Sequence, residues 1–192
     1  VKPIVLASGS PRRKQLLEML RIPFRVIPPD VDEHVLPGEK PDAYVTRLSR
    51  AKALAVVARA PGEVILAADT TVVLGGKIFE KPTSPGNALE MLEQLQGNTH
   101  EVLTAVAVAE DGYMEHALDV SRVTFRPNNR RVLAEYVATG EPLDKAGAYA
   151  IQGLGVALIE RVEGDYSGVM GLPLRLVLDL LAKFGRPYRF TR

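Results

Sequence analysis

Short apolar runs alternate with helical stripes along the whole chain. "PIVLA" at 3–7 reads as a buried strand, and 11–21 as a helix with Leu16, Leu17 and Leu20 turned inward. "FRVI" at 24–27 predicts a second short strand, which leads into a Pro/Asp/Glu-rich loop, "PPDVDEHVLPGEKP". Residues 42–59 predict a long helix whose stripe is Tyr44, Leu48, Ala51, Ala55 and Ala58. "EVILAADTTVVL" reads as a strand buried on both faces, closed by Gly75-Gly76, a two-residue hairpin signal. A helix over 84–95 follows, then strands at about 99–109 and 113–126 joined by a turn at Asp111-Gly112. Residues 128–138 predict a helix, "DKAGAYAIQGLG" mostly loop, 156–162 a strand, and "GLPLRLVLDLLAKF" a helix starting near Pro173. Interspersed helices and strands with two hairpins predict an α/β fold on a mixed sheet. With no repeat, low-complexity segment or linker, residues 1–192 are expected to form a single domain, large enough for a substantial core.

Composition narrows the function classes. The formal net charge of +1 argues against a general polyanion binder, so no nucleic-acid partner is expected. The absence of cysteine removes disulfides, thiolate metal sites and thiol nucleophiles. His34, His100 and His116 are scattered, without metal-cluster spacing, and His100 reads as structural. No secretory pattern opens the chain, and its longest apolar stretches are far short of a membrane span. These features set the expectation of a soluble cytoplasmic protein.

Several polar residues resist a purely structural reading. Ser10 followed by Pro11 is an N-cap signal. Arg12, Arg13 and Lys14 then put three cations at the positive end of the helix dipole, unfavourable by about 0.3–1 kcal/mol each when nothing answers them. With Ser8, Gly9 and free backbone N–H groups, this start is either an anion site or a solvated basic patch. Asp69 interrupts a strand read as buried on both faces, where a carboxylate needs cations, a metal or hydrogen-bond donors. The antiparallel return after the Gly-Gly turn brings Glu80 or Lys81 back toward it. Lys52 lies at the margin of the helical stripe and reads as a snorkelling lysine. Asp32 and Glu33 read as solvated acids or as oxygen ligands for a hard cation. Gln152, among glycines, offers a donor and an acceptor side by side, matching uracil or thymine and, with the amide flipped, adenine. Neither a Walker A loop nor a GxGxxG after a strand is present.

Together and in this order, "LASGSPRRKQLL", "ADTTVVLGGKIFEKP", "THEVLTAVAV", "GEPLDKAGAYAIQGLG" and "GDYSGVMGLPL" resemble the Maf family of nucleoside triphosphate pyrophosphatases. The resemblance covers essentially the whole chain. It implies a mixed twisted sheet with flanking helices, two lobes around a central cleft, similar to the inosine triphosphate pyrophosphatase fold. The implied activity is hydrolysis of a nucleoside triphosphate to monophosphate and pyrophosphate with Mg²⁺ or Mn²⁺. Asp69 matches the family's proton acceptor, and its carboxylate can either take the water's proton or only hold the metal. The resemblance also implies that Arg12, Thr70 and Gln152 set substrate preference, and that acids such as Glu33 and Asp69 hold the metal. Ser8, Arg12, Arg13, Lys52 and Lys81 match polar positions around the phosphates. "DTT" and "DKAGAYAIQG" look like the branch acting on dTTP and UTP, which implies a role in cleaning the nucleotide pool. The alternatives the resemblance leaves are the sister branch acting on 7-methylguanosine triphosphate, and a nucleotide-binding regulator of septum formation. A homodimer is compatible with it, and no membrane partner is implied. One departure is Gly168, where many members carry asparagine. Strict strand alternation would point Thr70 away from the Asp69 face, so a bulge or a strand end is expected where both line one cleft.

Overall fold

The computed structural model describes residues 2–190. In chain order it forms β1 (Ile4–Leu6), α1 (Pro11–Met19), β2 (Phe24–Val26), α2 (Pro41–Val57), β3 (Ile65–Leu74), β4 (Lys77–Phe79) and α3 (Pro85–Leu95). Then come β5 (Thr99–Glu110), β6 (Tyr113–Phe125), α4 (Arg130–Ala138), β7 (Ile159–Glu163), α5 (Tyr166–Val169) and α6 (Leu174–Lys183). The strands make one mixed sheet, ordered β2-β1-β3-β5-β6-β7, with β4 also paired to β3. β1 runs parallel to β2 and β3; the other pairings are antiparallel. Both hairpin turns carry the left-handed backbone their residues favour: φ is 58° and 81° at Gly75-Gly76, and 42° and 88° at Asp111-Gly112.

Alternation along β3 sorts the core onto two faces. On one face, Leu66 and Ala68 pack with α1 and α6, while Val72 packs with α3 and α4. On the other, Ile65 and Ala67 pack under the C-terminal half of α2, and Val73 under its N-terminal half. The polar triplet Asp69-Thr70-Thr71 falls between these clusters on both faces. Thr104 of β5 lies opposite Thr70, and Asp119 of β6 opposite Thr104, so the polar position continues as a row across the sheet. All of Thr71, Thr104 and Asp119 are buried. This row divides the two lobes.

The register of β3 with β5 is unbroken through Asp69 and Thr70, so β3 has no bulge there. The strand ends belong to its neighbours. On the opposite edge of β3, β1 pairs only as far as Leu66 and β4 begins at Val72. The edge between them faces no strand among the described residues, and side chains from both faces of β3 reach that gap.

Three expectations shift. The buried face of α2 is Tyr44, Val45, Leu48, Ser49, Lys52, Ala53 and Val56, rotated from the expected stripe; Ala51 and Ala55 are half-buried and Ala58 is exposed. An alanine-rich helix has no sharply apolar face, so the larger valines and the partners of Lys52 decide its rotation. Leu20 is only half-buried, since α1 ends at Met19. The last strand starts at Ile159, after a 3₁₀ turn over Leu154–Leu158, and the glycine-rich stretch before it holds further 3₁₀ turns at Glu141–Asp144 and Ala146–Ala148.

His100 is structural, as expected. Its ring is 1% exposed, stands edge-on to Phe125 and Tyr149, and its Nε2 lies 2.8 Å from the Tyr149 hydroxyl. Burial pushes its pKa down to about 4 from an ordinary 6.5. The unfolded chain therefore takes up this proton below about pH 6.5, while the folded chain resists it until about pH 4. This contribution to stability is full above the unfolded value and falls away as pH drops through the window, by about 3 kcal/mol in all. His100→Gln keeps a polar group near Tyr149 without titrating, so denaturant unfolding from pH 7 to pH 4 should show that much less acid sensitivity in the variant. Identical pH profiles would mean that His100 is not buried in its neutral form.

Candidate active site

The gap beside β3 opens into a cleft of about 680 Å³. Its lining includes Ser8, Arg12, Arg13, Glu33, Lys52, Asp69, Thr70 and Lys81, eight of the nine residues to which the family resemblance assigns a role. The volume suits a nucleotide-sized ligand.

One wall is built on Asp69. Its side chain is on the α2 face, where Lys52 Nζ donates to Asp69 Oδ1 at 2.6 Å and to Glu33 Oε1 at 2.8 Å. Lys52 is 6% exposed, so it does not snorkel; it neutralises the buried Asp69 carboxylate and the more exposed Glu33. Those carboxylates differ in environment. Burial raises the pKa of Asp69, against the pull of Lys52 and Arg13. Glu33 is also pushed up by its partial burial, but Lys52, Lys81 and Arg13 together bring it below its usual value. Tyr44 supports this wall: its hydroxyl donates to the Glu33 carbonyl oxygen at 3.0 Å and reaches Glu80 Oε1 at 3.5 Å. Asp32 turns away and pairs with His34 at the surface.

The other wall is the start of α1. Ser10 holds the N-cap position, yet its side chain caps nothing; its backbone N–H donates to Ser8 Oγ at 3.1 Å. The two arginines then divide the work. Arg13 is a strut: Nε donates to the Gly171 carbonyl oxygen at 2.8 Å, Nη1 to Ser8 Oγ at 3.2 Å, and Nη2 to Thr70 Oγ1 at 3.2 Å. Arg12 is half-buried in the cleft without a hydrogen bond to any described residue, in the field of Asp144. Lys81 likewise stands exposed at the cleft. Lys14, the third cation of the run, does not line it.

Gln152 is placed apart from the others. It borders a smaller cavity of about 270 Å³ with Gln15, Leu16, Met19, Tyr166, Ser167 and Met170. Met170 lines both cavities, so the two adjoin there. The chain beside Gln152 is clamped by Glu141, whose carboxylate accepts from the N–H groups of Leu154 and Gly155 and from the Tyr136 hydroxyl.

The profile of the Maf family, described as "Maf-like protein", matches residues 3–184. The chain belongs to the Maf family. The "dTTP/UTP pyrophosphatase" of Methylobacillus flagellatus is 52% identical over 184 residues, covering 95% of this chain and 92% of that protein. Proteins of the same name from Gloeobacter violaceus and Escherichia coli O157:H7 are 48% and 46% identical, covering 95% and 94% of this chain and 96% and 92% of their own. Among solved structures, the Staphylococcus aureus Ham1 protein matches with a TM-score of 0.48 at 16% identity, covering 95% of this chain and 97% of that one.

Within this Maf fold, sequence reasoning passed over Tyr44, Tyr149, Lys145 and Thr104. Tyr44 looks like one more member of an apolar stripe, and only its hydroxyl hints otherwise. Thr104 was visible as a polar interruption of "VLTAVAVA". Gly168, the departure from the family's asparagine, also has a structural reason. A Cβ built there would meet Asp119 Oδ2 at 2.4 Å, so Asp119 has taken the space a side chain would need.

Removing the shared cation tests the first wall. Lys52→Met should cost about 3 kcal/mol of stability at pH 7, because two carboxylates lose their partner and one is buried. Adding Asp69→Asn should restore much of that loss in urea unfolding. Equal losses in the single and double variants would show that the Asp69 charge is not what Lys52 holds in place.

Proposed function

We propose that the chain hydrolyses dTTP and UTP to the nucleoside monophosphate and pyrophosphate, working on the free nucleotide pool in the cytoplasm, alone or as a homodimer. The observation that carries this reading is Asp69: a buried carboxylate with a raised pKa, in a cleft also lined by Arg12 and Lys81, neither of which bonds to another described residue. A protein that only bound nucleotide would have no use for a costly buried base.

The roles follow from the geometry. Arg12, Lys81 and the uncapped backbone N–H groups at the start of α1 bind and orient the triphosphate. Arg13, fixed by three bonds, adds its charge from a set position. Lys52 holds Asp69 in place by one oxygen and leaves Oδ2 without a hydrogen bond from any described residue. Asp69 accepts the proton of the attacking water as its oxygen bonds to the α-phosphorus; the bond from that phosphorus to the α–β bridging oxygen breaks, and pyrophosphate leaves. A carboxylate with a raised pKa suits this step, since a base works best when its pKa approaches the working pH.

No three His, Cys, Asp or Glu side chains group as metal ligands among the described residues. The donor set still fits Mg²⁺ or Mn²⁺ arriving with the triphosphate, because such ions take one or two carboxylates plus phosphate oxygens. Glu33 and Asp69 would hold it, and it would supply neutralisation of phosphate charge and polarisation of the α-phosphoryl group. Gln152 completes the reading as the base contact, in the cavity that adjoins the cleft at Met170.

Phosphorus NMR of dTTP or UTP with the protein and Mg²⁺ should show pyrophosphate and monophosphate. Orthophosphate together with the nucleoside diphosphate would place the cleavage at the wrong bond. Asp69→Asn should fold normally and lose at least about 10²-fold in kcat, the lower range for a missing general base. Turnover near that of the wild type would remove Asp69 from the mechanism.

A further inference from the structure

The loop that carries Gln152 is held by polar contacts rather than by packing. From Gln152 to Ala157 only Gly155 is buried, and Leu154 and Val156 are 59% and 56% exposed, so no side chain of that stretch anchors it in a core. The anchor comes from elsewhere. Glu141, at the start of the 3₁₀ turn after α4, accepts from the Leu154 N–H at Oε2 and from the Gly155 N–H at Oε1, both at 2.9 Å. Its Oε1 also accepts from the Tyr136 hydroxyl of α4 at 2.8 Å. Partial burial pushes the Glu141 pKa up, but these donors and Lys145 hold it below its ordinary value, so the carboxylate is ionised at neutral pH. An ionised carboxylate only accepts. The Tyr136 proton therefore goes to Glu141, and a lone pair of the phenol oxygen is left for the Ala150 N–H, 3.3 Å away.

One carboxylate and one phenol thus grip the loop on both sides of Gln152, at Ala150 before it and at Leu154 and Gly155 after it. The glycines of "IQGLG" follow from how close that grip is. A Cβ on Gly153 would lie 2.4 Å from Glu141 Oε2, and one on Gly155 would lie 2.6 Å from the Tyr136 hydroxyl. Ala150 and Ile151 line the large cleft and Gln152 borders the smaller cavity, so the gripped chain passes from one to the other. Neither Glu141 nor Tyr136 lines either cavity. Resting on the proposed pyrimidine triphosphatase activity and on Gln152 as its base contact, we propose that Glu141 is a positioning residue for base recognition. With Tyr136 it sets the backbone from Ala150 to Gly155, and thereby the reach of the Gln152 amide, without touching the nucleotide. An amide that pairs a donor and an acceptor with one base tolerates little displacement. Arg12 and Lys81 lie on other elements, and their contacts to the triphosphate do not depend on this grip.

The test compares kcat/KM for dTTP and dGTP in the wild type, Glu141→Gln, Gln152→Ala and the double variant. Glutamine keeps the shape of Glu141, but both carboxylate oxygens accept, so its NH₂ meets a donor whichever way the amide lies. Glu141→Gln should lower the dTTP/dGTP ratio about tenfold, the scale of one buried polar group left without its partner. Gln152→Ala should lower it at least as much. In that background Glu141→Gln should leave the ratio where it is, because the amide it acts through is already gone. Hydrogen exchange at the Leu154 and Gly155 amides should speed up in Glu141→Gln while that of β5 stays as in the wild type. The proposal is overturned if Glu141→Gln leaves the ratio unchanged, slows both substrates by one factor, or adds in full to Gln152→Ala. Should Glu141→Gln fail to fold, Tyr136→Phe removes the phenol oxygen from the grip and must lower the same ratio, or the proposal falls. An unchanged ratio in Gln152→Ala would refute the base contact, and a wild type inactive on dTTP would refute the activity. The proposal falls with either, and failure at Glu141 alone imitates neither.

Discussion

The contact between Lys52 and Asp69 is the interaction on which the site depends. A buried carboxylate in the middle of a strand would, alone, be too costly to keep ionised. Lys52 changes that balance from within the same core, reaching Asp69 Oδ1 at 2.6 Å from the face of α2. Such a pair rarely adds net stability over an apolar replacement, because desolvation of both groups offsets their attraction. Its presence is therefore better explained by what Asp69 does. The same ammonium also ties down Glu33, which sits in a proline-rich loop with no helix or strand to position it. One buried lysine thus ties the rotation of α2 to the place of Asp69 and of a second carboxylate.

The second constraint is the broken edge of β3. Consecutive residues of a strand face opposite sides of its sheet, so Asp69 and Thr70 should serve different surfaces. They serve one cleft because β1 pairs with β3 only as far as Leu66 and β4 pairs with it only from Val72, leaving the edge open for the residues between. A ligand in that gap meets the α2 wall through Asp69 and the α1 wall through Thr70 and Arg13. The sheet stays regular, and the opening comes from where its neighbours end.

Much of this was legible in the sequence, and the failures share a cause. Strands and hairpins followed from alternation and from Gly75-Gly76 and Asp111-Gly112, whose chemistry is local. Asp69 stood out because a single acid in an apolar run conflicts with its surroundings. The partners of such residues were harder to read. Lys52 looked like a snorkelling side chain because nothing in α2 itself shows which face meets the sheet. Arg12 and Arg13 are adjacent and chemically alike, yet one is bound by three hydrogen bonds and the other is left open to the cleft. That difference depends on Gly171, 158 residues away from Arg13 in the chain. Gln152 was read from its amide, but which cavity it borders depends on the turns over Glu141–Asp144 and Leu154–Leu158, set by the long-range clamp at Glu141.

The polar row from Thr70 through Thr104 to Asp119 shows how the site and the core limit each other. It separates the cluster around α1 and α6 from the cluster around α3 and α4, so the core on that face is two cores. Each row position gives up apolar packing and must find a hydrogen bond instead. Thr104 finds Gly168, and Asp119 accepts from Ser121 Oγ at 2.8 Å. Gly168 lies against both, and its missing side chain lets the backbone of α5 come down onto the row. A side chain there would require the Asp119 carboxylate to move out of the row. The short helix is thus part of the site's support, although its side chains do no chemistry: its backbone closes the row that begins in the cleft.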